Sequence, residues 1–171
     1  MLRSKKVKDL MVPLKEYPSI KESQNLKEAF IILKKNFEEG KGYRSILVVD
    51  DKNQLRGVLS MIDLIKAVEP RFLKFTKPAG YQGLIQDDPT LSILWEDLFL
   101  EECHKVAQKP IKEVLMPIRA TVTPNDSLTK AAFFLVSTDS RILPVIDDGR
   151  IIGVIRLMDI FKEITEIVLA E

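Results

Sequence analysis

The densest group of reactive side chains in the sequence is Glu101-Glu102-Cys103-His104, which offers the residue types of a metal site or a thiol nucleophile. Its arrangement supports neither chemistry. Adjacent helical residues point in different directions, and the chain has a single His and a single Cys, too few soft donors for a ligand cluster. A cysteine nucleophile needs an activating base in an electropositive setting, whereas this one follows two glutamates. No catalytic or metal residue is assigned, and the chain is expected not to be an enzyme. Gly40-Lys41-Gly42 lacks the rest of a phosphate-loop pattern and reads as a loop after a helix. Arg3-Ser4-Lys5-Lys6 reads as a solvated basic arm. Asp63 and Asp159 differ from these, because each stands at the start of an apolar helical segment, where an N-cap contributes about 1 kcal/mol.

The segments that position these two aspartates are duplicated. Val7-Lys8-Asp9-Leu10-Met11-Val12-Pro13 returns as Ile111-Lys112-Glu113-Val114-Leu115-Met116-Pro117. Leu47-Val48-Val49-Asp50 returns as Pro144-Val145-Ile146-Asp147, and Gly57-Val58-Leu59 as Gly153-Val154-Ile155. Such self-similarity implies one supersecondary unit built twice. In each copy apolar residues then recur at helical spacing: Leu26, Ala29, Phe30, Leu33 and Phe37 in the first, and Leu128, Ala131, Ala132, Leu135 and Val136 in the second. A β-branched run, a turn and a second apolar run follow, which predicts a hairpin over Ser45 to Leu59 and over Ile142 to Ile155. A short helix beginning near Asp63 or Asp159 closes each unit. One such unit leaves an apolar sheet face uncovered, and two can bury these faces against each other.

The fold class expected is therefore α+β: two β-α-β-β-α units related by a pseudo-twofold axis and packed sheet to sheet. The first repeat is assigned to residues 1–69 and the second to 111–171. Residues 70–110 fall outside the repeat; Leu91, Leu94, Trp95, Leu98, Phe99, Glu102, Cys103 and Val106 lie at helical spacing and predict an insert helix near 91–108.

The composition narrows the function classes. The formal charge is +1, so no basic excess argues for nucleic acid or an anionic membrane. Lys34, Lys35 and Arg56 interrupt the apolar runs before any reaches membrane-spanning length, and no apolar signal-peptide core follows the basic start. With its single cysteine excluding an internal disulfide framework, the chain is expected to be soluble, unprocessed and cytoplasmic.

Val7 to Met11, the segment Arg141-Ile142-Leu143-Pro144-Val145-Ile146-Asp147, and Gly57-Val58-Leu59-Ser60-Met61-Ile62-Asp63, in this order and duplicated, resemble the tandem cystathionine-β-synthase (CBS) domain family, whose paired unit is called a Bateman module. The resemblance spans both copies and leaves out the insert. It implies a regulatory module that binds an adenosine-containing ligand between the copies, in sites built crosswise from both. One site would combine Ser60 and Asp63 with Thr121, Val122, Thr123 and Arg141. There the Asp63 carboxylate can accept from ribose hydroxyls, Ser60 and Arg141 can hold phosphate, and Val122 can cover an adenine face. The start of the helix after Asp63 would add backbone N–H groups. A second site would use Ser19, Lys21, Arg44, Arg156 and Asp159. It departs from the family pattern, since Arg156 stands in the Ser or Thr position and Lys21 replaces the threonine matched by Thr123. Those cations either hold a more highly charged ligand or, through an Arg156–Asp159 pair, fill the cleft.

The resemblance implies AMP, ADP, ATP or S-adenosylmethionine as regulatory ligand, with no cofactor required. A homodimer and a protein partner that reads the ligand-driven change are also implied. The competing expectation is a ligand-free interaction module that docks a partner through the insert helix and Trp95. The copies agree where they build the core and differ where a ligand would sit.

Overall fold

Local capping sets where the helices begin. Asn25 accepts from the Glu28 N–H at 3.1 Å and opens the long helix of the first copy, while Ser127 accepts from the Lys130 N–H at 3.2 Å and opens its counterpart in the second. The computed structural model describes residues 5–68 and 91–170. In chain order the elements are β1 (Val12–Pro13), β2 (Ser19–Lys21), α1 (Leu26–Glu38), β3 (Ser45–Val49), β4 (Leu55–Ser60), α2 (Met61–Val68), α3 (Leu91–Ala107), α4 (Leu128–Ser137), β5 (Ile142–Asp147), β6 (Arg150–Arg156) and α5 (Leu157–Val168). Residues 69–90 and the side chains of Leu91, Leu94, Trp95 and Leu98, on which part of the insert-helix stripe rests, lie outside the described residues.

The α+β class holds. One sheet has the order β2-β3-β4 and the other β1-β6-β5. In the first, β2 runs parallel to β3 and β3 antiparallel to β4, the topology expected when a helix connects the first two strands and a turn the last two. In the second copy the equivalent of β2 is reduced to a single parallel bridge between Val122 and Val145. The β5–β6 hairpin closes on Asp148 and Gly149, both with positive φ, as a two-residue turn of the right-handed-twist type requires.

Period-two alternation explains how the sheets share one core. Ile46 and Val48 of β3 face the cluster formed with Leu26, Ala29 and Leu33 of α1 and Leu64 of α2, whereas Leu47 turns the other way. Likewise Leu143 and Val145 of β5 pack with Ala131 and Leu135 of α4, while Ile142 turns inward. Leu47, Ile142, Val154 and Tyr17 form the seam between the two sheets. A strand buried on both faces needs an uninterrupted apolar run, and Ser45 to Val49 is buried throughout.

The entry segments are exchanged. Val12 and Pro13 of the first copy pair with Val154 and Gly153 of the second, and Met116 of the second bridges Val58 of the first. Val7 is accordingly buried in the second copy's core and Ile111 in the first copy's. The glycines make this crossing possible. A Cβ on Gly57 would lie 2.7 Å from the Met116 carbonyl oxygen, and one on Gly153 would collide with the Val12 carbonyl.

Two sequence expectations change. Asp63 and Asp159 are not N-caps, because α2 and α5 start two residues earlier, at Met61 and Leu157, placing both aspartates in the first turn. Lys5 is not part of a free arm; its Nζ reaches the Glu163 carboxylate of α5 at 2.7 Å.

Candidate functional site

The reciprocal bonds of Ser60 and Asp63 fix the first aspartate. The Ser60 N–H and hydroxyl both donate to Asp63 Oδ2, at 2.8 and 2.6 Å, and the Asp63 N–H donates back to Ser60 Oγ at 3.3 Å. This is a capping box, which satisfies helix-end donors that would otherwise lack partners. It leaves Asp63 Oδ1 without a hydrogen bond among the described residues. Ser60, expected to donate to a ligand, spends its proton on Asp63 in this arrangement.

Asp63 opens into a cleft of about 270 Å³ at the junction of the two copies. Its polar and charged lining includes Ser60, Asp63 and Lys66 from the first copy and Arg119, Ser140 and Arg141 from the second. The apolar lining includes Val58, Met116, Ile118, Ala120, Ile142 and Pro144. The cleft thus has one wall suited to a flat apolar group and a rim suited to an anion. Lys66 follows Asp63 by one helical turn and so shares its face. Arg119 is anchored through Nη1 to the Thr138 carbonyl at 3.3 Å, and Arg141 Nη2 stands 4.0 Å from Asp139 Oδ1. Asp139 holds a left-handed backbone, φ 49°, at the end of α4, where the matching turn at the end of α1 has Gly40 at φ 68°.

Of the residues expected at this site, Ser60, Asp63 and Arg141 meet in the cleft and Thr121, Val122 and Thr123 do not line it. The Val122 side chain is only 2% exposed and belongs to the second core, since its N–H and C=O pair with Pro144 and Ile146 and set it into the sheet. Val122 therefore cannot cover a ligand face. The Thr123 N–H donates to Asp126 Oδ2 at 2.8 Å in the turn before α4, and Thr121 is exposed outside the lining. The segment that does line the cleft is Pro117 to Ala120, just before them. Lys66 was legible from its spacing to Asp63. Arg119 was not, because nothing in an irregular segment tells which way a side chain turns.

The second cleft is built from the same elements and filled differently. Arg156 takes the position of Ser60, and its Nε and Nη2 each donate to one oxygen of Asp159 at 2.6 Å. Both acceptors of that carboxylate are then engaged in a bidentate, charge-assisted fork. The fork, first of all, raises the Arg156 pKa above its ordinary value. The guanidinium carbon lies 5.6 Å from the Tyr43 ring centroid, a cation–π distance. Tyr43 in turn packs on Tyr17, with ring centroids 4.8 Å apart, and the Tyr17 hydroxyl shares a 2.8 Å hydrogen bond with Ser45 Oγ. Burial pushes the Tyr17 phenol up to about 12, partly offset by the Ser45 bond and the Arg156 charge.

The other residues expected there are dispersed. Lys21 Nζ donates to the Asp50 carbonyl and to Asn53 Oδ1, both at 2.7 Å, and so holds the β3–β4 turn. Ser19 and Arg44 are both exposed, with no side-chain hydrogen bond among the described residues. The Arg156–Asp159 pair was one of two alternatives that the sequence left open, and neither tyrosine was among the expected site residues. The available signal was length: five residues separate Pro13 from Ser19 and three separate Pro117 from Thr121. The longer connection folds into a 3₁₀ turn at Leu14–Glu16 and delivers Tyr17 inward.

This geometry agrees with comparisons to known proteins. The CBS domain family model matches residues 7–70 and 110–166. The fold is similar to that of the CBS-pair protein CBSX2 from Arabidopsis thaliana, with 22% identity, TM-score 0.67, and coverage of 97% of this chain and 98% of that one. A crystal structure of CBSX2 in complex with AMP is similar at TM-score 0.64 and 22% identity, covering 95% and 98% of the two chains. The cytosolic domain of the Mg²⁺ channel MgtE in complex with ATP is similar at TM-score 0.58 and 22% identity, over 90% of this chain and 46% of that one. No curated protein sequence matches the chain. With the family match extending over both repeats and the two crossed units in place, the chain belongs to the CBS domain family.

Proposed function

We propose that the protein is a regulatory module that binds an adenine nucleotide in the open cleft and signals through the packing of its two repeats. One observation carries this reading: an apolar-walled cleft of about 270 Å³ sets the Asp63 carboxylate among Lys66, Arg119 and Arg141. That volume lies near the lower end for small-molecule pockets, roughly 300 Å³. Asp63 Oδ1 accepts from the ribose hydroxyls, the cations take the phosphate, and Ile118, Ala120 and Pro144 border the base. The AMP and ATP complexes of the CBSX2 and MgtE structures support the ligand class. The role is binding rather than catalysis.

Regulation follows from where the ligand sits. Both repeats contribute cleft residues, so a nucleotide favours whichever packing brings Asp63 and Arg141 to the distance it spans. It acts as a switch only through a difference in affinity between two packings. A cytoplasmic homodimer is part of the proposal. Exposed Ile31 and Phe37 on α1, and Phe133, Val136 and Phe161 on α4 and α5, support a second copy as their cover. A partner protein reads the change. Calorimetry with AMP, ADP, ATP and S-adenosylmethionine tests the ligand class: saturable heat is expected from at least one, and folded protein giving none at millimolar ligand contradicts the proposal.

A further inference from the structure

We infer that Tyr17, Tyr43 and Arg156 are a built-in occupant of the second cleft, tied to the open cleft through the Tyr17–Ser45 hydrogen bond. The two clefts are then coupled, and filling one moves the plug in the other. The coupling to a ligand rests on the nucleotide reading above; the plug and its tie do not.

The plug matches what a nucleotide would need there. An aromatic ring, Tyr43, lies beside a cation, Arg156, and that cation consumes both oxygens of the aspartate equivalent to Asp63. A nucleotide entering this cleft would first have to break a two-bond ion pair and leave Arg156, which is about three-quarters buried, without its partner. The second cleft is thereby closed to a nucleotide by the chain's own side chains, and the protein takes one nucleotide per chain.

The tie is a continuous set of contacts. Ser45 lines the open cleft, is 3% exposed, and pairs with Ser60 across the β3–β4 ladder. Its Oγ meets the Tyr17 hydroxyl, Tyr17 packs on Tyr43, and Tyr43 carries Arg156. Tyr17 also shares the intersheet seam with Ile142, a second lining residue of the open cleft. A buried phenol needs a hydrogen-bond partner, and the one available here belongs to the opposite cleft. Close-packed contacts of this kind transmit a shift because neither side has free volume to absorb it.

The test is ¹⁹F NMR of the full chain with its three tyrosines replaced by 3-fluorotyrosine, resonances assigned through single Tyr→Phe variants. AMP is the probe, with calorimetry in parallel. In the wild-type chain AMP is expected to shift both the Tyr17 and Tyr43 resonances along the calorimetric binding curve. In Tyr17→Phe, which leaves every lining residue of the open cleft in place, AMP still binds but the Tyr43 response is lost. An unmoved Tyr43 resonance in wild type with AMP bound, or an equal response in Tyr17→Phe, overturns the inference. If calorimetry shows no binding of AMP, ADP, ATP or S-adenosylmethionine, the nucleotide reading fails by itself, and the tie is decided without ligand. Ser45→Ala, with Ser45→Cys as the second variant should the first misfold, must then move the Tyr43 resonance, and an unmoved one overturns the tie.

Discussion

The two clefts start from one pattern and reach opposite states. In one, a serine caps the helix and leaves half of the Asp63 carboxylate facing open space. In the other, an arginine at the same position takes the whole Asp159 carboxylate, Tyr43 lies against its guanidinium, and Tyr17 packs on Tyr43. The scaffold around them is nearly symmetric: Gly57 and Gly153 let an entry segment cross each sheet, and Val58 and Val154 receive it. The packing is preserved between the copies, while a few side chains leave one aspartate half free and the other fully engaged.

Breaking the plug at Tyr17 should give the largest change. Its phenol has an ordinary value of 10.0 and stands at about 12 when folded, so the folded state favours the neutral form. The stability this contributes is complete below pH 10 and is lost as pH rises toward 12, about 3 kcal/mol across the interval. Tyr17→Phe removes that dependence while costing about 1 kcal/mol at neutral pH for the lost Ser45 bond. Urea unfolding should therefore rank wild type above the variant near neutral pH and below it at the alkaline end. Parallel curves would mean that Tyr17 is not buried as described.

Removing the aspartates separates the clefts next. Asp63→Ala should weaken AMP binding by about 2 kcal/mol, as expected for a hydrogen bond to a charged group. Asp159→Ala should change AMP affinity far less than Asp63→Ala does and lower stability by about 2 kcal/mol, because Arg156 loses both of its acceptors. Calorimetry and urea midpoints on both variants check the exchange.

The rim cations come third. Lys66→Ala and Arg119→Ala should each cost about 1 kcal/mol of nucleotide affinity and flatten its salt dependence, while the fully engaged second cleft gives no salt-dependent binding to lose. Titrations at low and high salt decide this. The smallest effect belongs to Asp139→Gly. It restores the residue that the first copy uses at the same left-handed turn and should raise stability by about 0.5 kcal/mol. Removing one anion from the rim should also tighten AMP binding, which the same titrations measure.

Much of this was legible in the sequence. Helical spacing picked out Leu26, Ala29, Leu33, Leu128, Ala131 and Leu135, all of them buried. A capping role at Asp63 was legible too, although Ser60 is the cap and Asp63 the partner that bonds back to it. Three features escaped for physical reasons. The exchange of entry segments depends on which sheet edge captures a two-residue strand, and local sequence carries no such information. Val122 sits in an alternation that serves a core strand and a ligand wall equally well, so only its pairing with β5 decides. Tyr17 turned inward because its connection is two residues longer than the matching one, a difference visible as a gap but without direction.

An available cleft beside one filled from within should show itself in binding stoichiometry. The most direct measurement is the calorimetric stoichiometry of AMP on the wild-type chain, repeated on Asp63→Ala and Asp159→Ala. One AMP per chain is expected, weakened strongly by Asp63→Ala and far less by Asp159→Ala. Two AMP per chain, or binding that depends on Asp159 rather than Asp63, would contradict it.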